Sequence, residues 1–392
     1  MGITYRWTEQ VKELDREDWE HCYEPSNVLT SYSLQLALER AELVDGFHYL
    51  SLYFNNKLIA IISCFTFRYS LTDLAPIYLQ KTVAVLRKLF PKLLKPRLFV
   101  VGSPIATCTH TLGIVLPPDH PDYKHLVQVV EREINKKAAE LKIGLLCIKE
   151  FDKRLNHHLK LIFESDFVVC RSPDTTYIYT APVAGLNYTD NMHSRYRRVL
   201  KNRKKAFVDA GLRWIVIDDF GPHVDKLHHL YCNVLQRSRT KFECLTPAFF
   251  HAVNEELKDH SKVLLCLDGA RIVAFELLLK GRNLHPLYLG IDYSYRDSSA
   301  LYFNCLYRVI EEAQYQQHQF IELGQTSYEA KFSVGAISSS LFFYIKHSNP
   351  LYNKLIHRFK EQIFPTPQLP PLRNVFKFNN EYLSALKSAG VL

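Results

Sequence analysis

The run YEAKFSVG, Tyr328 to Gly335, sets a phenol and an ammonium three residues apart, the spacing that puts two side chains on one face of a helix. A Tyr can hand over a proton and a Lys can stabilise negative charge as it develops, so Tyr328 and Lys331 are the first candidates for chemistry. A surface Tyr and a solvated Lys are the plainer alternative. Carboxylates able to accept a proton lie on or at the ends of strand-like runs: Glu276 in VAFELLL, Asp292 in LGIDY and Glu322 in FIELG. Asp292, at the C-terminal end of its strand, is the first choice, against the competing reading of a carboxylate paired with a nearby Arg. A third stretch, LGIDYSYRDSSALYFNCLYRVIEEA from Leu289 to Ala313, reads as strand, Arg, two serines and amphipathic helix. The start of such a helix suits an anionic or carbonyl group, although capping by Ser298 and Ser299 accounts for the serines equally well.

The elements that must hold these residues occur twice along the chain. YLSLYFNNKLIAIISCFTF (Tyr49 to Phe67) and KVLLCLDGARIVAFELLLK (Lys262 to Lys280) each read as two strands around a turn, Asn-Asn in one and Asp-Gly in the other. Helical sequence precedes each hairpin. A further strand, a long amphipathic helix (121–142 or 298–314) and a short strand follow. An inserted basic segment, Arg68 to Arg97, occurs in the first copy only. Between the copies lies a helix dense in Lys and Arg from Arg195 onward, with Thr189 and Asp190 as candidate N-caps and Gly211 as C-cap. One stripe of it carries Arg198, Asn202, Lys205 and Asp209, the opposite one Tyr196, Val199, Leu200, Arg203 and Phe207. After Pro350 the pattern loosens into FPTPQLPPLRN, an extended arm expected to pack on the surface. The boundaries are 1–180, 181–350 and 351–392.

Composition narrows the function classes. The 392 residues, 47% of them hydrophobic, suffice for ordinary cores, and the formal charge of +9 favours anionic partners. The nine cysteines show no metal-ligand spacing and read as reduced core residues of a cytoplasmic protein. The 17 histidines include adjacent pairs at 157 and 228 but no H-E-x-x-H pattern, so no structural metal is expected. The longest apolar run, Leu58 to Phe67, falls well short of the roughly 20 residues that span a bilayer. No secretion signal, Walker loop, kinase signature or G-x-S-x-G elbow is visible.

The order of elements resembles the GNAT superfamily acyltransferase fold, and its duplication resembles the Fem-type branch, the peptidoglycan aminoacyltransferases and their bacterial relatives. The likeness covers roughly residues 20 to 346 and is carried best by SRYRRVLKNRKKAFVDAGL, LGIDYSYRDSSALYF and ELGQTSYEAKFSVGA. It implies an α/β (α+β) protein of two tandem GNAT-like domains, each a mixed, mostly antiparallel sheet flanked by helices, with the donor on the second. The activity it implies is transfer of an acyl or aminoacyl group to an amine in the cleft between the domains. Lys331 would stabilise the oxyanion or the donor's phosphates, Tyr328 would protonate the leaving group, and Asp292 would accept the ammonium proton. Arg296, Ser298 and Ser299 would contact the donor. Arg198, Arg237, Tyr302, Glu276 and Glu322 would contact substrate.

The sequence departs from the acetyl-CoA pattern at one place. Where GNAT enzymes resemble Arg or Gln, two residues, Gly, any residue, then Gly or Ala, this chain has RDSSAL, with Ser299 and Leu301 in place of the glycines. Their side chains crowd a backbone that must approach a diphosphate, and Asp297 adds like charge. The expected donor is therefore a co-substrate on a carrier, aminoacyl-tRNA, acyl-carrier protein or acyl-CoA, with no tightly bound cofactor. An acetyl-CoA-dependent acetyltransferase and a non-catalytic module that binds nucleic acid or an acidic partner are the alternatives.

Overall fold

The computed structural model describes residues 2–69, 95–163, 166–238, 243–295 and 299–391. Most of the inserted basic segment and the triplet Arg296, Asp297 and Ser298 lie outside the described residues. The strands are β1 (Ile3–Thr8), β2 (Gly46–Phe54), β3 (Lys57–Arg68), β4 (Arg97–Val101), β5 (Leu112–Ile114), β6 (Leu145–Asp152), β7 (Val168–Tyr179), β8 (Leu212–Ile217), β9 (Ser261–Asp268), β10 (Arg271–Lys280), β11 (Leu284–Ile291), β12 (Phe320–Gly324) and β13 (Ile337–His347). They form one mixed, mostly antiparallel sheet in the order β1-β2-β3-β4-β6-β13-β7-β12-β11-β10-β9-β8, with β5 paired to β3.

Both hairpins form where the turn residues predict them. Asn55 and Asn56 take left-handed φ values of 48° and 61° between β2 and β3, and Gly269 takes 56° between β9 and β10. The two ends of the sheet repeat each other: three antiparallel pairings, then one parallel pairing, β4 with β6 in the first half and β11 with β12 in the second. The parallel pairs differ in how far they run. β4 and β6 stay in register from Leu98↔Leu145 to Val101↔Ile148, whereas β11 and β12 share only Leu284↔Ile321. Two residues past that pair stands Pro286, which has no N–H with which to extend a ladder. From there β11 follows β10 and β12 follows β7, and a wedge opens between them.

The halves share a core as well as a sheet. Leu34 and Leu38 of the helix Tyr32–Arg40 pack in one cluster with Phe249, Phe250 and Val253 of the helix Pro247–Leu257. At the centre of the sheet the chain crosses over. β13 lies between β6 and β7, and β7, which ends where sequence places the end of the first unit, pairs on both edges with strands of the second.

The C-terminal arm is anchored rather than laid on the surface. Its middle is exposed, but Val375, Phe376, Tyr382 and Leu386 are buried in the core of the second half. The apolar residues around 375 and 386 thus outweigh the prolines that suggested a surface path. Gly335 makes the anchor possible: its φ is 89°, and a Cβ there would lie 2.4 Å from the Phe376 ring. Gly335→Ala combines left-handed strain with a clash in a closed core. It is expected to cost about 2–3 kcal/mol, read from urea midpoints.

Candidate active site

The wedge between β11 and β12 opens into a cavity of about 300 Å³. Residues of β11 from Pro286 to Leu289 form one wall, and the turn from Glu322 to Ser327 forms the other. Ala106 to Cys108 from the first half and Tyr231 from the helix Val224–Arg237 close it. In the first half the corresponding strands β4 and β6 stay paired over that stretch.

Four residues expected from sequence meet here: Lys331, Tyr302, Glu276 and Glu322. Glu276, on β10, is 8% exposed, and among the described residues none hydrogen-bonds its carboxyl. Burial pushes it up to about 8, with nearby Lys331 pulling the other way. Glu322 is 7% exposed and accepts hydrogen bonds from Thr175 Oγ1 (3.0 Å) and Tyr177 OH (2.9 Å). Burial, aided by the charge of Glu150, drives it up to about 7 against those two donors. His285 Nδ1 approaches Glu322 Oε2 to 3.4 Å. Burial pulls that imidazole down to about 3, so the contact is that of a neutral ring and not an ion pair. Tyr302 presents a phenol that burial raises to about 12.

Lys331 lies on the short helix Tyr328–Ser333 and its side chain is buried. Nζ donates to the carbonyls of Leu323 (2.7 Å), Gly324 (3.0 Å) and Gln325 (2.6 Å), where the chain leaves β12. Burial lowers its pKa to about 8, yet only an ammonium can serve three carbonyls with three N–H bonds. Lys331 therefore fixes the turn that forms one wall and brings positive charge to the cavity, with no proton left over for a substrate.

The other expected residues stand elsewhere. Tyr328 shares the helix with Lys331, but its hydroxyl donates to Asp174 O at 2.8 Å and it does not line the cavity. Asp292 directly follows β11, does not line the cavity and pairs with Arg271 at 2.5 Å. Burial works to raise it, but the Ser294 hydrogen bonds and the Arg271 guanidinium prevail and hold it below the usual carboxylate range. That makes it a weak proton acceptor. Ser299 is fully buried and donates to Tyr295 O at 2.5 Å. Left-handed Ala300 occupies the N-cap of the helix Leu301–Tyr315, with no side-chain cap. Arg237 lies 3.7 Å over the Tyr293 ring, and it and Arg198 are exposed and do not line the cavity.

The basic helix runs Ser194–Asp209 and buries Leu200 and Phe207. Gly211 follows it with a left-handed φ of 72°, as expected for a C-cap. Thr189 and Asp190 belong instead to a preceding single turn, Tyr188–Asn191, capped by Asn187. Arg203 is used internally, 3.3 Å over the Phe303 ring, and Lys204 pairs with Glu311. Arg198, Lys201 and Lys205 are exposed on one stripe, and among the described residues none of them has an acidic partner.

Sequence reasoning missed Glu243, which lines the cavity and accepts from Ala106 N (2.8 Å) and Tyr288 OH (2.7 Å), tying the halves together. It sits in a connection between helices, where no periodicity marks it. Glu150, on β6, accepts from Thr107 Oγ1 at 3.0 Å. The reasoning that selected Glu322 on its strand applies equally to Glu150 in LLCIKEFD.

No family model matches the chain, and no curated protein does. Solved structures do resemble it. FemX is 10% identical with a TM-score of 0.57, covering 91% of this chain and 100% of its own. L-PGS from Bacillus licheniformis is 9% identical at 0.50, covering 90% and 98%. A tandem GNAT protein from the clavulanic acid biosynthesis pathway is 7% identical at 0.50, covering 89% and 99%. The likeness is one of fold: the chain has the Fem-type, tandem GNAT-like architecture.

Proposed function

We propose that this protein transfers an acyl or aminoacyl group from an activated donor to an amine, with the reacting groups held in the cavity between β11 and β12. The observation that carries the reading is Glu276, a buried carboxyl without a hydrogen-bond partner among the described residues, facing a cavity that also holds Glu322 and the charge of Lys331. An amine enters as its ammonium and must lose a proton before it can attack a carbonyl. Glu276 takes that proton, and its raised pKa makes it a stronger base than an exposed Glu. The amine nitrogen then bonds to the acyl carbon, its surplus proton passes to the donor's oxygen or sulfur as that group departs, and Lys331 favours the negative charge that develops on the carbonyl oxygen. Tyr231, Tyr288 and Tyr302 line the same space and suit a cationic amine through their ring faces.

The donor is proposed to arrive on an anionic carrier. The free stripe Arg198, Lys201 and Lys205 supports this, and the buried, internally bonded Ser299 speaks against a pyrophosphate seat of the acetyl-CoA kind. The experiment offers aminoacyl-tRNA, acyl-carrier protein and acyl-CoA with a panel of amines and measures amide product. Product from a macromolecular carrier, diminished in Arg198→Gln/Lys205→Gln, supports the reading. No amide from any donor, with carrier binding retained, would reduce the protein to a binding module. The pH dependence has a fixed sign. Glu276 must be unprotonated, so kcat/KM should rise as pH increases through about 8, where it titrates.

A further inference from the structure

The helix Pro350–Arg358 and the turn Lys360–Ile363 contain no fully buried residue. The helix is held by one side. Ile356 packs against the cluster of Val168, Cys170 and Ile345. Asn353 accepts from His347 N at 2.9 Å and donates to Asp166 O at 3.0 Å. The opposite side faces outward, and it is apolar. Leu351, Leu355 and Phe359, spaced by four, are 65%, 45% and 46% exposed, with Tyr352 at 54% beside them. A surface helix ordinarily turns such a stripe to its core.

Cations border the strip. Lys354 and Arg358 are exposed and lie three residues beyond Leu351 and Leu355, so each stands next to an exposed leucine. His357 is exposed beside them, and Glu361, 3.9 Å from Lys360, is the one acid in the segment 350–363. An outward apolar line flanked by Lys and Arg is the pattern of a helix lying in the plane of an anionic bilayer surface. We propose that this helix docks the protein on anionic lipid, Leu351, Leu355 and Phe359 entering the headgroup boundary while Lys354 and Arg358 meet lipid phosphates. Charge complementarity selects this occupant. A second copy would bring the same cations face to face, and a nucleic acid would leave the leucines in water. The attachment is peripheral, since among the described residues no helix is long and apolar enough to cross a membrane.

The test is co-sedimentation of the full-length protein with vesicles of phosphatidylcholine alone and of phosphatidylcholine mixed equally with phosphatidylglycerol. Binding to the mixed vesicles only is expected. Leu355→Glu/Phe359→Glu should abolish it, and Lys354→Gln/Arg358→Gln should weaken it about 25-fold, at about fivefold per cation. These residues are exposed, so circular dichroism should not change. Wild-type protein left in the supernatant overturns the proposal, as does binding that both double variants retain. A wild-type dimer that Leu355→Glu dissolves would also overturn it, by giving the strip to a second copy of the chain.

Discussion

Glu276→Gln is expected to be more stable and less active than the wild-type protein at the same time. In the folded state the carboxyl titrates near 8, against an ordinary value of 4.5, because burial penalises its charge. Between those values the unfolded chain has released a proton that the native state retains, so native stability falls as pH rises through the window. Gln mimics the protonated form and has no charge to desolvate. The gap between variant and wild type should be small near the lower end of the window and reach about 4–5 kcal/mol near its upper end. Turnover should drop about 10²–10⁴-fold, the range for loss of a general base. Urea unfolding at two pH values beside a turnover assay reads both effects. A variant that is less stable at high pH, or fully active, would remove Glu276 from the proposed chemistry.

Lys331→Ala should damage fold and function together. A Lys331 that only supplied charge would give a variant that stays folded and loses turnover. The structure adds three carbonyl acceptors, at Leu323, Gly324 and Gln325, that would lose their donor. Leaving them unserved should cost about 3 kcal/mol or more, and loss of the positive charge should lower turnover about 10²-fold. Near-native stability with reduced turnover would show that the three contacts are expendable. Full turnover would remove Lys331 from the reaction.

Much of this architecture was legible because its signals are local. Asn55-Asn56 and Asp268-Gly269 announce hairpins, and the repeated order of strands and helices announces two related units. The strand-like runs VAFELLL and FIELG also carried Glu276 and Glu322, which meet in the cavity. Spacing misled where it implied a shared destination: Tyr328 and Lys331 occupy one short helix, but Tyr328 turns to Asp174 O and Lys331 to the carbonyls beyond β12. Position at a strand end favoured Asp292, whose partner Arg271 lies on the neighbouring strand and is invisible to any local rule. Glu243 could not be found that way either, since its partners Ala106 and Tyr288 are 137 and 45 residues distant.

The position of β13 bears on how the chain is made. Ile337–His347 is the last strand in sequence and fills the slot between β6 and β7, the later of which ends at Tyr179. As the polypeptide leaves the ribosome, β6 has only β4 to lean on, and β7 has no ladder partner until Phe320 emerges. Two apolar edges must therefore wait for well over a hundred residues of further synthesis, and open edges invite pairing with other chains. A nascent chain of this design depends on being shielded, and a stop codon anywhere before the last strand leaves no working first half but a fragment with its seam unclosed.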